Sequence, residues 1–155
     1  RPQLPLPRDG GTLTAVDTNV LVYALNRQSD FRPLALQLLG DLAENARPWA
    51  IPWPCIYECM RVVTHPQVFR PPMATLEAWR QLQIMFTSPT LQLLGETPRH
   101  GEILQQVLSQ SAASGNLIHD AHVWALCLEH GVSDLVSADR DMNRFRGMRL
   151  HNPFV

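Results

Sequence analysis

The sequence predicts an α/β fold: a three-layer α/β/α sandwich around a central, mostly parallel sheet. Three observations carry that prediction. Short apolar runs alternate with longer segments of helical period, the order that builds a parallel sheet covered on both faces. The length, 155 residues, suits one ordinary domain. Hydrophobic residues make up 45% of the chain and charged ones 17%, below the usual quarter or so. Such a composition excludes a disordered or charge-dominated tail protein.

The elements follow in order. Leu13 to Val16 reads as a short buried strand running into Asp17-Thr18-Asn19, which opens a helix through Leu25. Pro33 begins a second helix with Leu34, Leu38, Leu39 and Leu42 as its apolar positions. Trp49 to Pro52 is a brief strand, and Pro54 suits the first turn of the next helix, which carries Ile56, Glu58, Cys59 and Val62. Glu58 is expected in about its first turn. His65 to Pro72 is a proline-punctuated loop. Thr75 to Phe86 has amphipathic period, with Leu76, Trp79, Leu82 and Met85 expected on one face.

Leu91 to Leu94 is a third strand, and Pro98 to Ser111 another helix, ending in a Ser-Ala-Ala-Ser-Gly-Asn turn. Leu117 to His130 is helical and Gly131 stops it. Asp134 to Val136 is a fourth strand, followed by Ser137-Ala138-Asp139 and a helical turn to about Phe145. Met148 to His151 makes a fifth, edge strand, ended by Pro153. Residues 1–12 are expected to form an N-terminal tail, with no apolar core of a secretory leader, leaving 13–155 as the domain.

Composition narrows the chemistry. All 13 basic residues are arginine, which removes the Walker-A loop and Schiff-base enzymes. It also removes the receiver and haloacid-dehalogenase classes, whose strand-end aspartate works with a lysine. The net charge of −1 offers no global positive field. No apolar run approaches the roughly 18 residues of a membrane span. The three cysteines, Cys55, Cys59 and Cys127, form no C-x-x-C pair and suit burial in a reducing cytoplasm.

The acids are distributed with more purpose. Open parallel sheets bind ligands beyond the carboxyl ends of their strands, where strand order switches. Asp17 ends the first strand, Asp139 follows the fourth, Glu58 follows the second, and Asp120 opens a late helix. Singly, Asp17 and Asp139 also fit as helix N-caps, and Glu58 and Asp120 as acids favouring a helix N-terminus. Together at one edge, four carboxylates repel unless divalent cations neutralise them, and hard Mg²⁺ or Mn²⁺ prefers oxygen ligands.

These stretches resemble the PIN-domain ribonucleases, and specifically the VapC-type toxins. The matching blocks are Val16-Asp17-Thr18-Asn19-Val20-Leu21, Tyr57-Glu58, Gly115 to His122, and Ser137-Ala138-Asp139-Arg140-Asp141-Met142 running to Phe145. The resemblance implies a Rossmann-like sheet and Mg²⁺- or Mn²⁺-dependent hydrolysis of RNA phosphodiesters by Asp17, Glu58, Asp120 and Asp139. It places Asp141 as a secondary acid, has Thr18 and Asn19 orient Asp17, and puts Ser137 near the metal. It also implies a cognate antitoxin and a homodimer. The alternative is a catalytically inactive PIN-like module that binds RNA or protein.

Arg140, Arg144, Arg146 and Arg149 form a basic run beside Asp139, suited to holding RNA phosphates or simply to a solvated face. His119 and His122 flank Asp120 one turn apart; zinc is the weaker reading, and contact with substrate or a hydrogen bond the stronger. The four tryptophans, Trp49, Trp53, Trp79 and Trp124, read as packing residues rather than base-stacking platforms. Leu21, Val22 and Leu25, with Leu34, Leu38 and Leu42, suggest either a groove for an antitoxin helix or ordinary core.

Overall fold

A computed structural model describes residues 12–155. The tail expected at 1–12 falls, except for Thr12, outside those residues. Five strands form one sheet: β1 (Leu13–Val16), β2 (Trp49–Pro52), β3 (Leu91–Leu94), β4 (Val132–Val136) and β5 (Arg149–His151). Their order is β3-β2-β1-β4-β5, and every described pairing is parallel. The sheet is therefore parallel throughout rather than mostly so.

Six α-helices connect the strands: α1 (Thr18–Leu25), α2 (Arg32–Glu44), α3 (Trp53–Val63), α4 (Thr75–Phe86), α5 (His100–Ser111) and α6 (Leu117–Glu129). The chain steps outward from β1 to β3 through α1 to α4, then returns past β1 to β4 through α5 and α6. Right-handed crossovers in opposite directions put the two helix groups on opposite faces, giving the expected sandwich. Strand order reverses beside β1, so the switch point lies between β1 and β4.

The core is apolar because β1 is buried along its whole length and α6 buries Ala121 and Val123 through Cys127. Trp49 and Trp124 are each 1% exposed, which supports the packing reading for these two. Gly131 has φ +71°, the left-handed conformation that ends α6. Gly147 has φ +103°, and a Cβ there would meet Leu128 Cδ2 at 3.0 Å.

Some boundaries differ from expectation. α5 starts at His100, because Pro98 and Arg99 form a turn closed by His100 N–H to Thr97 O at 3.0 Å. β4 begins at Val132, which pairs with Leu13. Leu76 is 75% exposed: α4 turns Ala78 and Leu82 inward, and Leu76 lies about 200° around the helix from Ala78. Glu58 sits in the second turn of α3. Leu21, Leu38 and Leu42 are core residues, at 0%, 2% and 5% exposure, consumed by the packing of α1 and α2 on the sheet. They offer no free groove.

Candidate metal centre

The site begins with Asp17. Its N–H donates to Val136 O at 3.0 Å, continuing the β1–β4 ladder one residue past the strand. The side chain then caps α1, accepting from Thr18 N–H at 2.8 Å. Ser137, just beyond β4, is fixed in turn by donating its N–H to His151 O at 2.9 Å. Its hydroxyl donates to Asp17 Oδ2 at 2.7 Å and accepts from Asn19 Nδ2 at 3.1 Å and Asp139 N–H at 3.0 Å. Asn19 Oδ1 accepts from Ala138 N–H at 3.0 Å. The switch point is thus stitched by short polar side chains. Cys55 donates its S–H to Asp17 Oδ1 at 3.5 Å from below.

A cleft of about 270 Å³ opens above this floor, lined by Asp17, Asn19, Glu58, His119, Asp120 and Asp139 among others. Asp120 comes from the first turn of α6, and Asp139 caps the 3₁₀ turn Arg140–Arg144 by accepting from Asp141 N–H at 2.9 Å. Asp120, Asp139 and Asp141 each bring a carboxylate oxygen within 4.8 Å of the others. Asp141 therefore stands beside the pair rather than apart from it.

Electrostatics mark the cleft as short of positive charge. Burial raises the Asp17 pKa, opposed by its hydrogen bonds from Ser137, Thr18 and Cys55. Asp120 is pushed up to about 7, first by burial and then by the neighbouring charges of Asp139, Asp17 and Asp141. Glu58 is different. It lines the cleft from α3, but Arg61, one turn on, holds its carboxylate in a two-pronged ion pair and lowers its pKa. The structure thus brings Asp17, Asp120, Asp139 and Asp141 together, and Glu58 to the same cleft with its charge already met.

Arg140, Arg144 and Arg146 are exposed around the 3₁₀ turn. Arg144 lies near enough to Asp120 to oppose its upward shift. Arg149 is instead committed to the buried Asp134, with Nε 2.9 Å from Oδ1. His119 lines the cleft, while His122 turns away to Glu96 at 2.8 Å. His119 and His122 both border a neighbouring cavity, and among the described residues it is Glu96 and His100 whose ligand atoms gather with His122. Sequence reasoning missed Glu96 and His100, although an acid and a histidine four residues apart before a helix is a readable ligand spacing. It also missed Arg61, which pairs with Glu58.

The sequence profile of the PIN domain matches residues 14–148. The chain belongs to the PIN-domain family. Among curated PIN proteins it resembles Ribonuclease VapC43 of Mycobacterium tuberculosis, 36% identical over 145 residues, covering 91% of this chain and 95% of that one. Ribonuclease VapC48 of the same organism is 32% identical over 138 residues, covering 89% and 95%. Among solved structures, VapBC2 from Rickettsia felis bound to a promoter DNA fragment superposes with a TM-score of 0.66 at 19% identity, covering 91% of this chain and 98% of that one. The Sarcin-Ricin loop cleaving toxin VapC20 of Mycobacterium tuberculosis superposes at 0.61 with 16% identity, covering 88% and 98%. The PIN fold and the VapC branch are thereby established.

Proposed function

We propose that this PIN protein is a Mg²⁺- or Mn²⁺-dependent endoribonuclease and the toxin half of a toxin–antitoxin pair. The observation that carries the reading is the convergence of Asp17, Asp120 and Asp139, from three distant segments, on one cleft at the sheet's switch point. The donor set fits a hard divalent cation: clustered carboxylate oxygens, with Asp120 raised first by burial and then by its acidic neighbours. Asp120, Asp139 and Asp17 would hold it, with Asp141 beside Asp139 and Glu58 lining the same cleft. A cation there supplies an activated water and neutralises charge developing at phosphorus.

The chain's own residues do the positioning. Ser137 and the Thr18 N–H hold the Asp17 carboxylate, and Asn19 ties Ser137 and Ala138 to α1. Arg140, Arg144 and Arg146 meet RNA phosphates at the cleft mouth. The names of the curated relatives support RNA as substrate, and the solved VapBC structure supports an antitoxin partner. A surface for that partner is the cleft of about 380 Å³ where Leu25, Phe69 and Met73 lie among Arg27, Arg32 and Arg70. A homodimer in the cytoplasm completes the reading. Retention of all four acids disfavours an inactive binding module.

The experiment is to map RNA ends after brief induction of the wild type and of Asp17→Asn. New ends that require Asp17 and vanish with EDTA in the purified reaction support the reading. Undiminished cleavage in chelator, or equal cleavage by Asp17→Asn, overturns it.

A further inference from the structure

Next to the acidic cleft, across a cavity that Glu58 and His119 also line, lies a second cluster with different chemistry. Glu96 leaves β3, His100 opens α5, and His122 projects from α6; one ligand atom from each lies within 4.8 Å of the others. The His122 Nε2 is 2.8 Å from Glu96 Oε1, and the two imidazoles approach edge to face with centroids 5.4 Å apart.

We propose that Glu96, His100 and His122 bind a zinc-type divalent cation at a site separate from the acidic cleft. Two imidazole nitrogens and one carboxylate oxygen are the three-ligand set of an open zinc site. Imidazole donors favour Zn²⁺ and its neighbours over Mg²⁺, which suits the all-oxygen cleft. The chain thus presents two centres that sort cations by ligand softness.

A buried carboxylate behind His100 is the second observation. The Glu129 side chain is 0% exposed, and its Oε1 accepts from Thr97 N–H at 2.8 Å and Thr97 Oγ1–H at 2.9 Å. Its other oxygen meets His100 Nδ1 at 2.5 Å. That contact keeps the proton on Nδ1 and leaves Nε2 as the lone-pair donor, as a carboxylate does behind metal-bound histidine. Glu129 is a positioning residue, held before any ion arrives.

Tetrahedral zinc needs ligand atoms about 3.3 Å apart, so modest rotation of the exposed Glu96 closes the set. The fourth position would be open to solvent or a small ligand. Glu96 and His122 also line a cavity of about 540 Å³ with Trp53, Tyr57, Glu58 and His119, so the bound ion would adjoin the approach to Glu58. It would also pin the β3–α5 connection to α6, the helix that carries Asp120.

The test uses the full chain with Asp17→Asn and Asp139→Asn, so that the acidic cleft no longer competes. Co²⁺ is titrated by visible absorption and displaced by Zn²⁺, and zinc retained after dialysis is counted per chain. The expected result is one equivalent, with tetrahedral-type Co²⁺ bands. His122→Ala, at a partly exposed position, should abolish the bands and the retained zinc. Glu129→Gln should weaken Zn²⁺ binding about 10–100-fold. If the double variant does not fold, the same count is made on wild type in excess Mg²⁺, as zinc lost on His122→Ala. No retained zinc, or zinc unaffected by both His122→Ala and His100→Ala, overturns the proposal.

Discussion

The Ser137 hydroxyl donates to Asp17 Oδ2 at 2.7 Å across 120 residues of sequence. Both residues sit one step past the ends of adjacent parallel strands, so the bond measures how well β1 and β4 are registered. Because Ser137 is fully buried, Ser137→Ala strips a donor from Asp17 and an acceptor from Asn19 and Asp139 N–H. The expected cost is about 1–3 kcal/mol of stability, read by urea denaturation, with RNA cleavage falling alongside. A variant as stable and active as wild type would show that the register holds without it.

Asp139 lines the cleft, whereas Asp141 is exposed and presents its N–H to Asp139. Asp139→Asn is therefore expected to lose far more cleavage than Asp141→Asn. Single-turnover assays at saturating Mg²⁺ decide it. Equal losses with folding intact would make the two carboxylates partners in one role.

Asp120 gives a pH dependence with a definite sign. Its folded pKa, about 7, lies above its unfolded value near 3.9. The folded state thus holds the proton more tightly, and stability present below about pH 4 is lost as pH rises toward 7. In EDTA the unfolding midpoint should fall over that window, and Asp120→Asn should flatten the fall. Saturating Mg²⁺ should also flatten it, by binding the native state. A midpoint independent of pH in EDTA would refute the raised Asp120 pKa.

Arg144 and Arg146 are predicted to touch phosphates. Replacing both by alanine should weaken RNA binding and reduce the log–log salt slope by about 1.4 to 1.8, the value for two single-strand or duplex phosphates. Filter binding across a salt series checks this. An unchanged slope would leave both arginines as solvated surface.

The toxin reading predicts growth arrest when the chain is induced alone, relieved by the protein encoded beside it. Arg27→Glu with Arg70→Glu, on the 380 Å³ cleft, should weaken co-purification of that protein while leaving RNA cleavage intact. Harmless expression with the acids intact would sink the toxin reading and spare the nuclease one.

Much of this was legible in sequence because local chemistry and topology agree. Asp17 is both the end of an apolar run and an N-cap, so strand end, helix start and candidate site residue were read from four letters, Val16 to Asn19. Gly131 announced the end of α6 in the same way. The exit of β4 then placed Asp139, and the opening of α6 placed Asp120, at the same edge. What escaped was long-range pairing. Nothing local says that Arg149 answers Asp134, that Glu129 lies behind His100, or that Arg61 occupies Glu58. Leu76 escaped because its neighbours Ala78 and Leu82 define the inward face of α4, and a small alanine carries little weight in a hydrophobic pattern.

All three thiols of the chain are buried, and Cys55 lies directly under the carboxylate of Asp17. Burial and the nearby Asp17 charge push the Cys55 thiol well up, and burial lifts Cys59 to about 12. Neither forms an appreciable thiolate at neutral pH, so an alkylating reagent meets no ready nucleophile in the closed protein. Modification must wait until the floor of the cleft comes apart. The rate at which iodoacetamide reaches Cys55 is thus a built-in clock for the opening of the cleft floor, and a cation that locks the carboxylates together should slow it.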